Sequence, residues 1–292
     1  MTLPLPAGAR TPDRAVWING SIVRGDEAVL SVFDRGARDG GAIFETIRVY
    51  AGRPYAWERH MERLVLAAAE LGFPVPPAPA RLRDAVRELM VSQGMTDAVV
   101  RLTVTRGIAG GRPTRTGAWI EAESVTSRLW AGQRESAASA IVSSQPFEPG
   151  FLGRYKTTSR LAWDLAREQA RAAGVDEALL VSPAGQLLEG AASNVFVVKA
   201  GEVRTPPVSA NVLPGVTRAI VFALCAELQI PAREAAIPLD DLRAADEVFL
   251  TNSVQEVLPV ATLDRRPLPG RALGLRLLEA FRARVASFAN QA

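Results

Sequence analysis

A polar stretch running from Thr126 to Glu135 divides the chain in two, and each half carries its own apolar strands and amphipathic helices. This division constrains the fold most. Strand patterns of period two alternate with helical patterns of period 3.6 on both sides of it, so the expected class is α/β, or α+β in two domains. At 292 residues the chain is long enough for about two domains of ordinary size. The expected division is an N-terminal α/β domain over 1–126, an interdomain linker over 127–135 and a C-terminal domain over 136–292.

In the first half, strands are expected over 15–20, 28–33 and 43–50, the last delivered by the glycine-rich loop 34–41. Over 57–71, Met61, Leu64, Val65 and Ala68 recur at helical spacing, so a helix with one buried stripe is expected, ended by Gly72 and Pro74. Pro76, Pro77 and Pro79 form a stiff connector to a helix over 79–91, and strands follow over 97–105 and 118–124. In the second half the pattern predicts a strand at 140–143 and a helix over 158–173 closed by Gly174. Strands at 177–181 and 194–198 come next, then a helix opened by Pro214-Gly215-Val216-Thr217 that continues to Leu228. A strand at 247–251 runs into the polar turn Asn252-Ser253, and the last helix covers 272–288. An open helix start such as that at Gly215 presents unpaired N–H groups to an anion.

Composition removes several function classes. The 34 basic and 31 acidic side chains leave a net charge of +3, and the basic residues are spread along the chain, which argues against a nucleic-acid partner. No window approaches the ~18 consecutive apolar residues of a membrane span, and the start lacks an apolar leader core, so a cytoplasmic protein with no membrane partner is expected. Cys225 is the one cysteine, in an apolar helical run, which excludes a disulfide framework and a cysteine-ligated zinc. His60 is the one histidine, read as a satisfied structural residue on its helix, and no metal site is expected. Neither a phosphate loop ending in Gly-Lys nor a Gly-x-Gly-x-x-Gly turn is present. A site for small molecules is the remaining expectation.

Of the 34 basic residues only Lys156 and Lys199 are lysine, so 34 − 2 = 32 are arginine. Arginine substitutes for lysine on a solvated surface, but not where an amine must lose its proton. Lys199 lies between two strand patterns at a glycine turn and reads as an exposed hairpin residue. Lys156 precedes a helix and reads either as a solvated residue or as a catalytic amine. Taken with the carboxylate of Glu189 and the helix start at Gly215, it completes what pyridoxal phosphate requires: an amine for a Schiff base, an acid for the pyridinium proton and amide donors for the phosphate.

Four groups of residues then resemble the fold type IV, or class IV aminotransferase, family of branched-chain aminotransferases, D-amino acid aminotransferases and aminodeoxychorismate lyases. They are Asp34-Arg35-Gly36 with Phe44-Glu45-Thr46-Ile47-Arg48; His60-Met61-Glu62-Arg63-Leu64; Tyr155-Lys156-Thr157-Thr158 with Leu188-Glu189-Gly190-Ala191-Ala192-Ser193-Asn194; and Leu213-Pro214-Gly215-Val216-Thr217-Arg218 with Phe249-Leu250-Thr251-Asn252-Ser253. The lysine-to-glutamate separation, 189 − 156 = 33, resembles that of the family. The resemblance implies a smaller N-terminal α/β domain, a larger C-terminal domain with a barrel-like sheet, a site between them and a homodimer. It implies that Lys156 is the catalytic Schiff-base lysine of pyridoxal 5′-phosphate and that Glu189 keeps the ring nitrogen protonated. It implies that Arg63, Val216, Thr217, Asn252 and Ser253 hold the phosphate, with Ser193 and Asn194 in the same cofactor-binding set.

The resemblance implies substrates that are small amino acids and 2-oxo acids, and its substrate markers are mixed. Branched-chain enzymes typically read Phe-Glu-Gly where this chain has Phe44-Glu45-Thr46, and carry a tyrosine where it has Leu161. D-amino acid enzymes typically hold the carboxylate with a tyrosine and an Arg-x-His; here Phe44 stands, and Gly111-Arg112-Pro113-Thr114 offers no histidine. The expected substrate residues are therefore Phe44, Thr46, Arg112, Arg115 and Arg38, the last in a loop that departs from the family pattern. The leading expectation is a transaminase acting on primary amino acids, D-amino acids among them. An aminodeoxychorismate lyase, which the Lys156-Thr157-Thr158 and Phe44-Glu45-Thr46 segments resemble, is the alternative, and a catalytically silent cofactor-binding homologue the third.

Overall fold

A computed structural model describes residues 14–108, 117–130 and 137–290. In the first half β1 (Ala15–Ile18), β2 (Ser21–Arg24), β3 (Ala42–Tyr50), β4 (Arg53–Pro54), β5 (Ala98–Thr105) and β6 (Ala118–Glu123) form one antiparallel sheet in the order β2-β1-β6-β5-β3-β4. The short α1 (Arg35–Arg38) precedes β3, and α2 (Trp57–Glu70) and α3 (Pro79–Ser92) cover one face of the sheet. Met61, Leu64, Leu82, Val86 and Leu89 pack there against Ile43, Ile47, Val100, Leu102 and Ile120.

Both faces of β3 are buried, and its alternation assigns them to different tasks. Ile43, Ile47 and Val49 join the core under the helices, with Glu45 on the same side meeting His60 and Arg63 of α2. Phe44 and Thr46 face the other way, toward the second half. The register pairs Thr46 with Arg101 of β5, so Arg101 shares that outer face with Phe44.

The second half is built on β7 (Ala138–Val142), α4 (Leu161–Ala173), β8 (Glu177–Val181), β9 (Leu187–Gly190), β10 (Asn194–Lys199), β11 (Glu202–Thr205), α5 (Val216–Glu227), β12 (Ala232–Glu234), α6 (Leu239–Arg243), β13 (Glu247–Asn252), β14 (Glu256–Leu263), β15 (Arg266–Pro267) and α7 (Ala272–Asn290). Its mixed sheet runs β12-β11-β10-β13-β14-β7-β8-β9, and β9 curls back beside β10, giving the barrel-like form expected. α5 and α7 pack on one side around Phe196, Phe249 and Phe281. Phe196 and Phe249 stack with centroids 4.8 Å apart.

The two halves are stitched at the lysine segment. Phe44 N–H donates to the Lys156 carbonyl at 2.8 Å and Thr158 N–H to the Ala42 carbonyl at 2.9 Å, a short antiparallel bridge on the open edge of β3. That pairing draws the backbone at Thr157 and Thr158 to the edge of β3, so α4 begins at Leu161 and not at 158. The strand expected over 28–33 is absent: Val29, Val32 and Phe33 are exposed because no neighbouring strand offers them a ladder or a core. Val65 is also exposed, with Ala67 buried in its place, since the sheet meets α2 slightly further round its axis. Of the expected linker, Thr126–Arg128 forms a single 3₁₀ turn, while 131–136 lies outside the described residues. The strands β2, β4, β9, β12, β14 and β15 and the short helices α1 and α6 have no counterpart among the sequence expectations.

Candidate active site

The open face of β3 and β5 and the curled sheet enclose a cavity of about 230 Å³ with a mostly polar lining. Phe44, Thr46, Arg63, Lys156, Glu189, Ser193, Asn194, Val216, Thr217, Asn252 and Ser253 all line it. Eleven sequence candidates from seven separate chain segments thus converge on one space.

Lys156 stands above the Phe44 ring, Nζ 4.6 Å from its centroid. Burial, then the nearby Arg160, Arg63 and Arg101, push the amine down to about 7 against the opposing pull of Glu45. A large fraction is therefore the neutral, nucleophilic form near physiological pH.

Glu189 lies at the end of β9, buried, with two donors fixing it. Trp163 Nε1–H of α4 donates to Oε1 at 2.9 Å, and Leu213 N–H to Oε2 at 3.1 Å. Burial raises its pKa; these bonds and the charges of Arg160 and Lys156 act against that rise.

Arg63 and His60 share one buried carboxylate. Arg63 grips Glu45 through Nε at 2.8 Å and Nη2 at 2.6 Å, and donates from Nη1 to the Pro214 carbonyl at 3.0 Å. His60 Nδ1 lies 2.7 Å from Glu45 Oε2. Burial alone would raise Glu45, yet Arg63 and His60 outweigh it and hold the carboxyl at about 2. Glu45 is ionised, so His60 Nδ1 carries the hydrogen, and two of the five N–H donors of Arg63 remain for another acceptor. The His60 ring is satisfied at Nδ1, as expected, while its Nε2 looks out at Ser253 Oγ, 3.5 Å away.

The remaining candidates divide by what their side chains already hold. Ser193 Oγ donates to Glu177 at 2.7 Å and Asn194 Nδ2 to the Leu213 carbonyl at 2.8 Å, so both shape the walls. Asn252 ties two turns together, donating to the Ala192 carbonyl at 3.0 Å and accepting from the Val254 and Gln255 amides. Val216 and Thr217 form the first turn of α5 behind Gly215. There is no room for a side chain at Gly215, where a Cβ would collide with Asn194 Oδ1. The Thr251 hydroxyl, buried in the same wall, has no hydrogen-bond partner among the described residues. An unpartnered hydroxyl, spare guanidinium donors and the start of a 12-residue helix fit a phosphorylated ring compound.

Arg38 does not reach the cavity. It sits at the end of α1, well exposed, with Asp39 as its nearest charge at 3.9 Å, because α1 turns it outward after the Asp34 cap. Arg112 and Arg115 lie outside the described residues. In their place the walls carry Arg101, Arg128, Arg160 and Arg167, none of which the sequence reading selected. Arg101 stacks 3.8 Å above the Phe44 ring and makes no ion pair among the described residues; burial lowers its pKa. A single arginine within the apolar strand Ala98–Thr105 was the signal available for it.

The comparisons agree with this geometry. A D-alanine aminotransferase of Bacillus licheniformis is 31% identical over 264 residues, covering 89% of this chain and 92% of the relative. A branched-chain-amino-acid aminotransferase of Escherichia coli is 30% identical over 266 residues, covering 85% of this chain and 84% of the relative. A crystal structure of an E. coli branched-chain amino acid aminotransferase superposes with a TM-score of 0.84 at 29% identity, over 93% of this chain and 94% of that one. The family model for class IV aminotransferases matches residues 42–263, which spans β3 to the end of β14 and with them every wall of the cavity. The chain therefore belongs to the class IV aminotransferases, enzymes that use pyridoxal phosphate.

Proposed function

We propose that the protein is a transaminase that moves the amino group between a primary amino acid and a 2-oxo acid, with Lys156 as the catalytic amine. One observation carries the reading: a lysine amine held near neutral proton affinity shares a cavity with a buried, doubly anchored carboxylate and a wall of arginines. When bound, pyridoxal phosphate supplies an electron sink for the charge that develops at the substrate α-carbon. Lys156, as the neutral amine, would hold the cofactor and, when free of it, would move the proton to and from that carbon. Glu189, its two oxygens fixed by Trp163 and Leu213, would hold the proton of the cofactor ring nitrogen. Arg63, Thr217 and Ser253, with the amides at the start of α5, take the phosphate. Arg101, stacked on Phe44 beside Lys156, holds the substrate carboxylate. The low-dielectric enclosure strengthens each of these interactions.

The test is to add D-alanine, D-glutamate, L-leucine and L-glutamate singly to the cofactor-loaded protein without acceptor, and to follow the near-ultraviolet absorption of the cofactor. Conversion to the amine form with at least one donor supports the reading and reports the enantiomer accepted. A band unmoved by all four overturns it, and pyruvate release from aminodeoxychorismate then becomes the assay.

The reading includes a homodimer. Val32 and Phe33, 75% and 65% exposed, adjoin Ile108 through the Asp34–Ile108 bridge, an apolar surface suited to a second copy. Sedimentation at twice the chain mass is expected; a monomer at micromolar concentration overturns this part. No helix among the described residues is long and apolar enough to cross a membrane.

A further inference from the structure

His60 is the one histidine of the chain, and nothing in the proposed reaction uses it. It is buried on α2, with Glu45 of β3 on one side and the Ser253 hydroxyl, in the turn after β13, on the other. Arg63 from its own helix and Lys156 from the segment before α4 are the other charges that face it. Its proton inventory is fixed at one end, because the ionised Glu45 accepts from Nδ1–H whatever the charge on the ring. Only Nε2 can change. Burial lowers the pKa of the ring, with Glu45 opposing, which favours a bare Nε2 in the free site, and the Ser253 hydroxyl 3.5 Å away is placed to donate to it.

That arrangement conflicts with binding a phosphate monoester. A hydroxyl has one hydrogen, and while Ser253 gives it to Nε2 it has none for the anion. A proton taken from solvent onto Nε2 resolves the conflict. The ring N–H then donates to Ser253 Oγ, and the Ser253 hydrogen turns to the phosphate. The charges act in the same direction, since Arg63 is already paired with Glu45 and a dianion added beside His60 favours the protonated ring.

We infer that His60 is a positioning residue that takes up a proton at Nε2 when a phosphate monoester binds, and so releases the Ser253 hydroxyl to the anion. The inference rests on the proposed placement of the cofactor phosphate at Arg63, Thr217 and Ser253.

The lone histidine makes the test direct. The untagged full chain, labelled with nitrogen-15 in histidine, is titrated by NMR across pH 5 to 9, free, with pyridoxal, with inorganic phosphate and with pyridoxal 5′-phosphate. With pyridoxal phosphate bound, the Nε2 resonance is expected to move from the bare to the protonated range near neutral pH, its midpoint rising by about one unit, roughly tenfold in proton affinity. Inorganic phosphate is expected to act in the same direction and pyridoxal to leave it unmoved. In Ser253→Ala the phosphate-dependent rise is expected to shrink at least threefold. If the cofactor absorption band shows binding while Nε2 stays bare, the inference fails and the function stands. If no band forms, the placement of the cofactor fails and the inference with it. A full rise persisting in Ser253→Ala also overturns the relay.

Discussion

Trp163 Nε1–H donates to Glu189 Oε1 at 2.9 Å, so with the Leu213 amide a helix outside the hairpin that carries the glutamate sets the direction of that carboxylate. A buried carboxylate with one fewer donor is harder to ionise. In Trp163→Phe, Glu189 is expected to protonate at a higher pH, moving the acid limb of the kcat profile upward. The lost bond is expected to lower stability by about 1 kcal/mol. A pH–rate profile and a urea titration check the two effects. An unshifted acid limb would show that Leu213 alone suffices.

Lys156 titrates at about 7 in the free site, and only its neutral form attacks a carbonyl. The association rate of pyridoxal phosphate is therefore expected to rise with pH through a midpoint near 7 and level off above it. Stopped-flow absorption measures this. Lys156→Arg keeps the charge but cannot deprotonate, and turnover is expected to fall by at least ~100-fold.

Glu45 has a folded-state pKa of about 2 against 4.5 for an unperturbed carboxyl. The unfolded chain therefore binds a proton that the folded chain refuses between these values, so this stabilisation is complete above 4.5 and is lost as pH falls toward 2. The contribution is roughly 3 kcal/mol. Urea midpoints measured from pH 5 down to 2.5 are expected to fall steeply in the wild type and less in Glu45→Gln. The variant is expected to start several kcal/mol lower, since Arg63 and His60 lose a shared buried partner.

Arg101 makes no ion pair among the described residues and stacks on Phe44. If it holds the substrate carboxylate, Arg101→Leu is expected to raise KM for both amino acid and oxo acid by about 10- to 100-fold. Cofactor affinity is expected to stay within a factor of about two. Steady-state kinetics with a cofactor titration separates the two. An unchanged KM would point instead to Arg128 or Arg160 in the same cavity.

Among the candidate cofactor residues, Lys156 stood out as one of two lysines and the Val216-Thr217 turn by its Pro-Gly helix start, whereas Arg63 and Glu189 became candidates only through the joint pattern that resembles the family. Local patterns survive in one dimension. Helices α2, α3 and α5 were equally plain, since their apolar spacing is set by the 3.6-residue turn. Less legible were the residues whose role depends on what faces them. Arg101, one polar residue in a strand pattern, gains its place only when β3 and β5 turn that face toward the second half. Glu45 and His60, 15 residues apart, become a pair only when α2 packs on the odd-numbered side of β3.

What the order of residues determined by itself was the family and most of the helices and strands, while the roles of Lys156 and Glu189 came with the resemblance and belong to the proposal. Tertiary structure alone decided which arginines enter the cavity, that Arg38 stays outside it, and that 28–33 forms no strand. The reason is physical. Helical and strand periodicity come from steric rules along the chain, whereas burial, desolvation and the pKa of Lys156 come from groups as far as Glu45, 156 − 45 = 111 residues away, that only packing brings near.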